Sequence, residues 1–391
     1  MHAIKSISCK ELLLHNCILA FSCILFYPSA SDACSTYMLQ EDSTFLIGHN
    51  LDMPYEIPGM VVVNKRGVLK TNISWHEIST SRKPSSPTIN WTSKYGSITF
   101  NPLGREFPDG GINEAGLYIQ EMTLAGTEFP EDDKRPRMFM MQWMQFQLDN
   151  YDTVAQVLNN LSDIILDGWA WHFFVSDKKG QCTCIEFLEG KTVVFTGRTM
   201  PIPVMCNSRY SDELELLEQY NGFGGQQEVD LKNKEIPRFV HAAYLIRNFT
   251  PKLEPAMDYG FEILESMDRS STQWSYIIDV TNQKIHFRTS VGRKVKYFDY
   301  GQMDFSCKSP VKIIDINSKL QGDVLDRFDD YSPGINRQLL EKAVNSIDRD
   351  GVFSKQIEAT GNTIDNLIKT IASYPGKTIC LQTTTGKDRA R

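Results

Sequence analysis

The sequence carries no excess of basic charge: 41 Lys and Arg stand against 48 Asp and Glu, giving a net charge of −7 and a pI near 5.6. Composition therefore does not supply the concentrated basic surface that nucleic-acid binding requires. Long apolar runs are missing too. The longest, Cys17–Tyr27, falls well short of the roughly 20 residues that span a bilayer, and later apolar stretches meet a charge within a few residues. Cysteine is sparse: Cys9, Cys17 and Cys23 fall near the N-terminus, leaving Cys34, Cys182, Cys184, Cys206, Cys307 and Cys380 scattered through the rest. That excludes a disulfide scaffold while leaving room for one or two bridges in an oxidising compartment. Cys182 and Cys184, two apart in a strand-like run, share a face and are not expected to bridge each other. His49, His76, His172, His241 and His286 show no paired ligand spacing, so zinc is not expected. No fixed-period repeat and no Gly/Ser linker marks a domain boundary. With 41% hydrophobic and 23% charged residues, the chain is neither disordered, collagenous nor coiled coil.

What is present begins with an export signal. Lys5 and Lys10 precede the apolar run, Pro28 breaks it, and Ser31-Asp32-Ala33 puts small residues at the −3 and −1 positions of a cleavage site. Cleavage after Ala33 leaves residues 34–391 as a single domain without a membrane span. An uncleaved signal anchor is the alternative. Both a periplasmic or secreted location and a eukaryotic secretory or lysosomal route fit. Sequons at Asn72, Asn90, Asn160 and Asn248 matter only in the latter.

From Ser35 the pattern is of short strands: Thr36–Gln40, Phe45–Asn50 and Met60–Asn64, the first two joined by the polar turn Glu41-Asp42-Ser43-Thr44. Thr80–Pro102 reads as a long exposed loop region with short strands, followed by strands at Tyr95–Phe100 and Gly116–Thr123. The period then turns helical at Met138–Leu148 and Asp152–Leu161. The Met-rich face of the first helix suits the core better than an acyl pocket. Strands return at Trp171–Ser176, Cys182–Phe187, Thr192–Phe195 and Pro203–Asn207. Helices follow at Asp212–Tyr220, Pro237–Asn248 and Met257–Asp268, then strands at Ser275–Val280, Lys284–Thr289 and Lys294–Tyr300. From about residue 314 the chain reads as mostly helical, ending in a polar tail. Blocks of strands and helices indicate α+β layers rather than alternating βαβ units.

A mature chain that starts at Cys34 would carry a nucleophile and a base on one residue. The thiol attacks, and a free α-amine of pKa about 7.7–8.0 accepts its proton. Such a site needs a carboxylate to orient the amine, a cation to hold that carboxylate, and amide donors for the oxyanion. Cys34 could instead be an ordinary small residue, or the lipidated cysteine of an envelope lipoprotein. Ser31 and Asp32 stand where lipidation sites prefer a bulky aliphatic and a small residue.

Cys34-Ser35-Thr36 followed by Gly48-His49-Asn50-Leu51-Asp52 resembles the start of the choloylglycine hydrolase family of linear-amide hydrolases. The likeness continues at Asp109-Gly110-Gly111-Ile112-Asn113-Glu114-Ala115-Gly116-Leu117, Cys206-Asn207-Ser208, Pro237-Arg238-Phe239 and Ser271-Thr272-Gln273-Trp274-Ser275. The resemblance implies a four-layer αββα sandwich of the N-terminal-nucleophile hydrolase type. It implies Cys34 as nucleophile, Asp52 binding the amine, Asn207 giving an amide to the oxyanion, and Arg238 pairing with the acidic and thiol groups. Two positions depart from the family pattern. His49 stands where the family usually has arginine, and could donate to the thiol and make activity pH-sensitive. The second oxyanion position falls near Thr123. If its side chain lines the pocket, it argues against a typical bile-salt substrate.

The reading is an exported amidase cleaving a linear, non-peptide C–N bond through an acyl-thioester on Cys34, with a small-molecule acyl amide as partner. No metal or organic cofactor is implied. An acyltransferase on the same fold and a lipoprotein tethered through Cys34 remain alternatives. The segment Pro54–Phe107, with Tyr55, Met60, Trp75 and Trp91, is a candidate acyl pocket. The sequence allows a homo-oligomer without specifying one.

Overall fold

The computed structural model describes residues 34–131, 134–251 and 255–381; the expected signal at 1–33 and the polar tail lie outside the described residues. The chain opens with β1 (Ser35–Glu41), β2 (Thr44–Asp52), β3 (Met60–Asn64), β4 (Val68–Thr71) and the short helix α1 (Trp75–Thr80). Strands β5 (Asn90–Thr92), β6 (Ser97–Asn101), β7 (Gly110–Asn113), β8 (Tyr118–Thr123) and β9 (Arg137–Phe139) precede α2 (Met140–Asn150) and α3 (Val154–Asn159). Then come β10 (Ile165–Asp167), β11 (Trp171–Ser176), β12 (Cys182–Leu188), β13 (Lys191–Thr196) and β14 (Val204–Met205). Three helices follow, α4 (Tyr210–Leu217), α5 (Arg238–Asn248) and α6 (Ala256–Met267). Strands β15 (Thr272–Asp279), β16 (Lys284–Thr289), β17 (Lys296–Asp299), β18 (Lys312–Asp315), β19 (Gly322–Asp323) and β20 (Asp329–Asp330) lead to α7 (Pro333–Ile347), α8 (Val352–Ala359) and α9 (Ile364–Ser373).

Two sheets form the centre. One has the order β14-β1-β2-β15-β16-β17-β19, the other β13-β12-β11-β8-β7-β6-β3-β18-β20. One core cluster joins side chains of both sheets, such as Leu51, Tyr276, Phe100 and Phe174, with α5 and α6 residues such as Phe239 and Ile263. A second lies between the other face of the second sheet and α2, α7, α8 and α9, with Trp143, Phe173, Leu340, Phe353 and Ile368. The layers therefore run helix, sheet, sheet, helix, the αββα order that the resemblance implied.

Local chemistry explains the central hairpin. Asp42 adopts a φ of 51° in the turn, a conformation that a short polar side chain tolerates. That turn fixes the register from Glu41 opposite Thr44 to Ser35 opposite Asn50, which carries Cys34 to the Leu51–Asp52 end of β2. Gly48 is required there. A Cβ at that position would stand 2.1 Å from the Tyr37 ring, which is 0% exposed and donates from its hydroxyl to the Gly260 carbonyl at 2.9 Å. The pairing of β2 with β15 shifts register between Thr272 and Trp274, leaving Thr272 opposite Asp52. A bulge of this kind re-aims a side chain.

The helix expected at Met138–Leu148 starts two residues later, because Arg137–Phe139 pairs in parallel with β10. Several elements escaped the pattern reading, among them β4, α1, β7 and β10. The C-terminal region is helical only from Pro333, after three short strands. Cys307 and Cys380 form a disulfide, whereas Cys34, Cys182, Cys184 and Cys206 are free. No helix among the described residues is long and apolar enough to cross a membrane.

Candidate active site

Cys34 sits at the entry to β1 and is 4% exposed. It lines a pocket of about 850 Å³, counting the solvent space at its mouth, together with Asp52, Asp109, Glu121 and Thr123. The remaining wall is mostly apolar and includes Leu51, Tyr55, Leu103, Met141, Trp171 and Ile347. Of the aromatic and methionine residues expected between Pro54 and Phe107, only Tyr55 lines the pocket. Met60 belongs to β3, Trp75 to α1, and Trp91 sends its indole N–H to Asp149 at 2.8 Å. The Met-rich helix α2 is buried on nearly every side, and Met141 alone of its methionines reaches the pocket.

Asp52 is fully buried at the end of β2. Arg238 Nη1 donates to its Oδ2 at 3.0 Å, and the Thr272 hydroxyl donates to its Oδ1. The second guanidinium nitrogen of Arg238, Nη2, donates to Asn207 Oδ1. Asn207 Nδ2 in turn donates to the Thr123 carbonyl at 2.8 Å. A planar guanidinium suits this bridging role because its donors diverge in a fixed fork. Arg238 is the first residue of α5, after the N-cap Pro237. A cation at the positive end of a helix costs roughly 0.3–1 kcal/mol, so Asp52 is what makes the position tolerable. Burial pushes the Asp52 carboxyl up to about 7, against the lowering effects of the Thr272 hydrogen bond and the Arg238 charge.

A second acidic group was not singled out from the sequence. Asp109, just before β7, and Glu121, in the middle of β8, are both buried and joined by a carboxyl–carboxyl hydrogen bond. Such a bond needs a proton held between them. Burial raises both: Asp109 goes to about 6, and Glu121 goes well above the usual carboxyl range, with the Asp109 charge adding to its rise. No protein donor reaches Glu121 Oε2. The signal for Glu121 was present as the lone acid of a buried strand. Around Cys34, burial raises the thiol well above its usual value, the charges of Glu121, Asp52 and Asp109 raise it further, and a backbone hydrogen bond from Asp52 opposes them.

His49 is placed differently from expectation. Its Nδ1 meets the Thr36 hydroxyl at 2.9 Å, its ring lies 5.2 Å from that of Tyr276, and no donor or acceptor meets Nε2. Burial pushes its pKa down to about 3, and the Arg238 charge lowers it further. Burial therefore favours the neutral imidazole, which is bonded to Thr36 rather than to the thiol. Burial thus opposes the pH sensitivity expected of it. Thr123 lines the pocket, and its carbonyl is bonded to Asn207.

One further cluster was hidden from spacing rules. His172 on β11 and Cys184 and Glu186 on β12 bring their donor atoms within 4.8 Å of one another, all buried. Their bonds serve the fold: His172 Nε2 meets the Cys206 carbonyl at 2.8 Å, and Glu186 Oε1 accepts the Tyr210 N–H at 2.7 Å. The first of these holds the residue immediately before Asn207.

The family model described as linear amide C-N hydrolases, choloylglycine hydrolase family, matches residues 34–313. A penicillin V acylase from Pectobacterium atrosepticum is 25% identical over 338 residues, covering 74% of this chain and 87% of that protein. Among solved structures, a penicillin V acylase from Agrobacterium tumefaciens superposes with a TM-score of 0.65 at 23% identity, over 77% of this chain and 98% of the other. A variant of the conjugated bile acid hydrolase from Clostridium perfringens gives a TM-score of 0.57 at 17% identity, over 72% and 97%. The shared fold is that of the N-terminal-nucleophile hydrolases.

Proposed function

From the premise that the chain belongs to the choloylglycine hydrolase family of linear amide C-N hydrolases, we propose that it is exported, cleaved before Cys34, and hydrolyses an acyl amide through a thioester on that residue. One observation carries the reading. The Arg238 guanidinium ties Asp52, the carboxylate beside the nucleophile, to Asn207, the amide beside the pocket. The likeness alone would give these residues; the bonds that tie Arg238 and Asn207 to Asp52 and Thr123, which line the pocket with Cys34, give them a mechanism.

The freed α-amine takes the thiol proton, and the sulfur attacks the substrate carbonyl carbon. Asn207 Nδ2 has two hydrogens, one committed to Thr123, and the other serves the tetrahedral oxyanion. As the C–N bond breaks, the α-ammonium returns its proton to the leaving nitrogen. Water then attacks the thioester carbonyl and gives a proton to the amine, and the thiolate departs to be reprotonated. Asp52 orients the amine throughout, held by Arg238 and Thr272.

Electrostatics supports cleavage. The charges of Asp52, Asp109 and Glu121 act on the thiol, and the Arg238 guanidinium is bonded to Asp52 rather than to the sulfur. An α-ammonium on Cys34 would supply the missing positive charge. Export is supported by the Cys307–Cys380 disulfide, a bond that persists in oxidising compartments. The burial of Cys34 at a strand entry speaks against a lipid tether there. Thr123 in the pocket wall favours a substrate other than a typical bile salt.

The test is the intact mass and N-terminal sequence of the exported protein, with Cys34→Ala in parallel. An unmodified N-terminal Cys34 that traps electrophiles and hydrolyses an acyl amide, both lost in Cys34→Ala, is expected. A lipid adduct on Cys34, or a chain that retains Ala33, would overturn the proposal.

A further inference from the structure

Helix α7 begins at Pro333, beyond the residues matched to the family, yet it reaches the pocket that holds Cys34. Its buried positions, Asn336, Leu340, Ala343 and Val344, follow helical spacing. Ile347, the next position on the same stripe, lines the pocket together with Cys34, Tyr55, Leu103 and Met141. Just past the helix, the Arg349 guanidinium lies 5.5 Å from the ring centroid of Tyr55, another wall residue.

The same helix fixes the loop opposite. Pro102 and Leu103 supply part of the wall, and the residues after them are clamped from α7. Asn336 Oδ1 accepts the Arg105 N–H at 2.8 Å. Its approach leaves no room for a side chain at Gly104, where a Cβ would sit 2.6 Å from that oxygen and where φ is +88°. Glu106, non-glycine at a φ of 76°, is held by Lys70 at 2.5 Å and by Arg105 at 3.1 Å. A backbone in that region persists only when its surroundings over-determine it. The loop is therefore clamped immediately after the two residues that line the pocket.

We infer that α7 is the specificity element of this enzyme: Ile347, and the loop that Asn336 holds, set the size of the apolar acyl group admitted to Cys34. The inference rests on the hydrolase reading above and deepens it. The acyl group is neutral as well as apolar, because Asp109 and Glu121 stand beside the thiol and would repel a carboxylate.

The experiment uses the mature full-length protein, its Ile347→Ala and Ile347→Trp variants, and a series of straight-chain acyl amides sharing one leaving amine. Within each protein, kcat/KM is expected to rise about fourfold per added methylene while space remains, since that is what burying one methylene contributes, and then to break. The break should move to longer chains in Ile347→Ala and to shorter chains in Ile347→Trp. The same break in all three proteins would overturn the inference. If no amide in the series is hydrolysed, the hydrolase reading fails on its own. The wall is then read from alkylation of Cys34 by n-alkyl chloromethyl ketones of the same lengths, followed by intact mass. There the same shift supports the inference and a common profile refutes it.

Discussion

Replacing Arg238 by leucine separates two roles that one guanidinium plays. It removes the cation bonded to Asp52 at 3.0 Å and the donor to Asn207. An opposite charge at contact distance lowers a carboxyl pKa by roughly 1–3 units, worth about 1.4–4 kcal/mol. Without it, Asp52 rises from about 7 to roughly 8–10. At pH 7 the ionised fraction then falls from about one half to roughly a tenth or less. A mechanism that needs ionised Asp52 loses at least about fivefold in kcat/KM there and recovers as pH rises. Arg238→Lys keeps the charge but not the fork, so its pH profile should stay in place while its ceiling drops through the loosened Asn207. The assay is kcat/KM from pH 5 to 10 for the three proteins, with thermal unfolding as a check on folding. An ascending limb of Arg238→Leu that coincides with the wild type, or one that shifts equally in Arg238→Lys, would refute the reasoning. Stability follows the same sign. The folded-state pKa of Asp52 lies above its ordinary value of 3.8, so the destabilisation it causes is absent in acid, grows as pH rises from about 4, and is complete above about 7.

Glu121→Gln should flatten the pH dependence of stability. Burial raises Asp109 above its ordinary value of 3.8, so its ionisation costs the folded protein stability as pH rises from about 4. An amide in place of Glu121 stabilises ionised Asp109, so melting temperatures between pH 4 and 7 should fall less steeply than in the wild type. An unchanged slope would count against the carboxyl pair. The ring of His49, neutral down to about pH 3, should show no titration by NMR between pH 5 and 8, and a midpoint inside that window would contradict its burial. Opening the Cys307–Cys380 bridge, which spans 73 residues, should lower stability by up to about 4 kcal/mol on the chain-entropy account. Urea unfolding of Cys307→Ser with the same midpoint as the wild type would rule that out.

Local signals were legible wherever one residue pattern decided the outcome. The β1–β2 hairpin follows from a polar turn between alternating strands, and β16 at Lys284–Thr289 from its own alternation. The helix expected at Pro237–Asn248 matches α5 to within one residue, since proline suits a helix start. Elements decided by distant partners were not legible. Arg137–Phe139 has helical spacing but becomes a strand because Ile165–Asp167 lies beside it. The short β4 exists by pairing with β5, and α1 by the Ser74 cap and by Asp167 accepting the Trp75 and His76 amides. The site divides in the same way. Cys34, Asp52, Asn207 and Arg238 lie in recognisable segments, whereas the Asp109–Glu121 pair and the Ile347 wall arise only when two sheets and a late helix close on one pocket.

His49 shows why a substituted motif position cannot be read by residue type alone. As an exposed donor, a histidine would titrate near neutrality. Here it is buried in β2 against Thr36 and Tyr276, and burial lowers its pKa to about 3. Positive charge at this site must therefore come from elsewhere. Arg238 provides one cation, already spent on Asp52 and Asn207, while the thiol still faces Asp52, Asp109 and Glu121. A proton held between Asp109 and Glu121 removes one negative charge, and an α-ammonium on Cys34 would offset another. On the proposed reading, cleavage after Ala33 would free the base and would also correct a charge imbalance that otherwise favours the protonated thiol. The uncleaved chain would be inert because its nucleophile sits among carboxyls with no ammonium beside it, although every other side chain of the site is already in place.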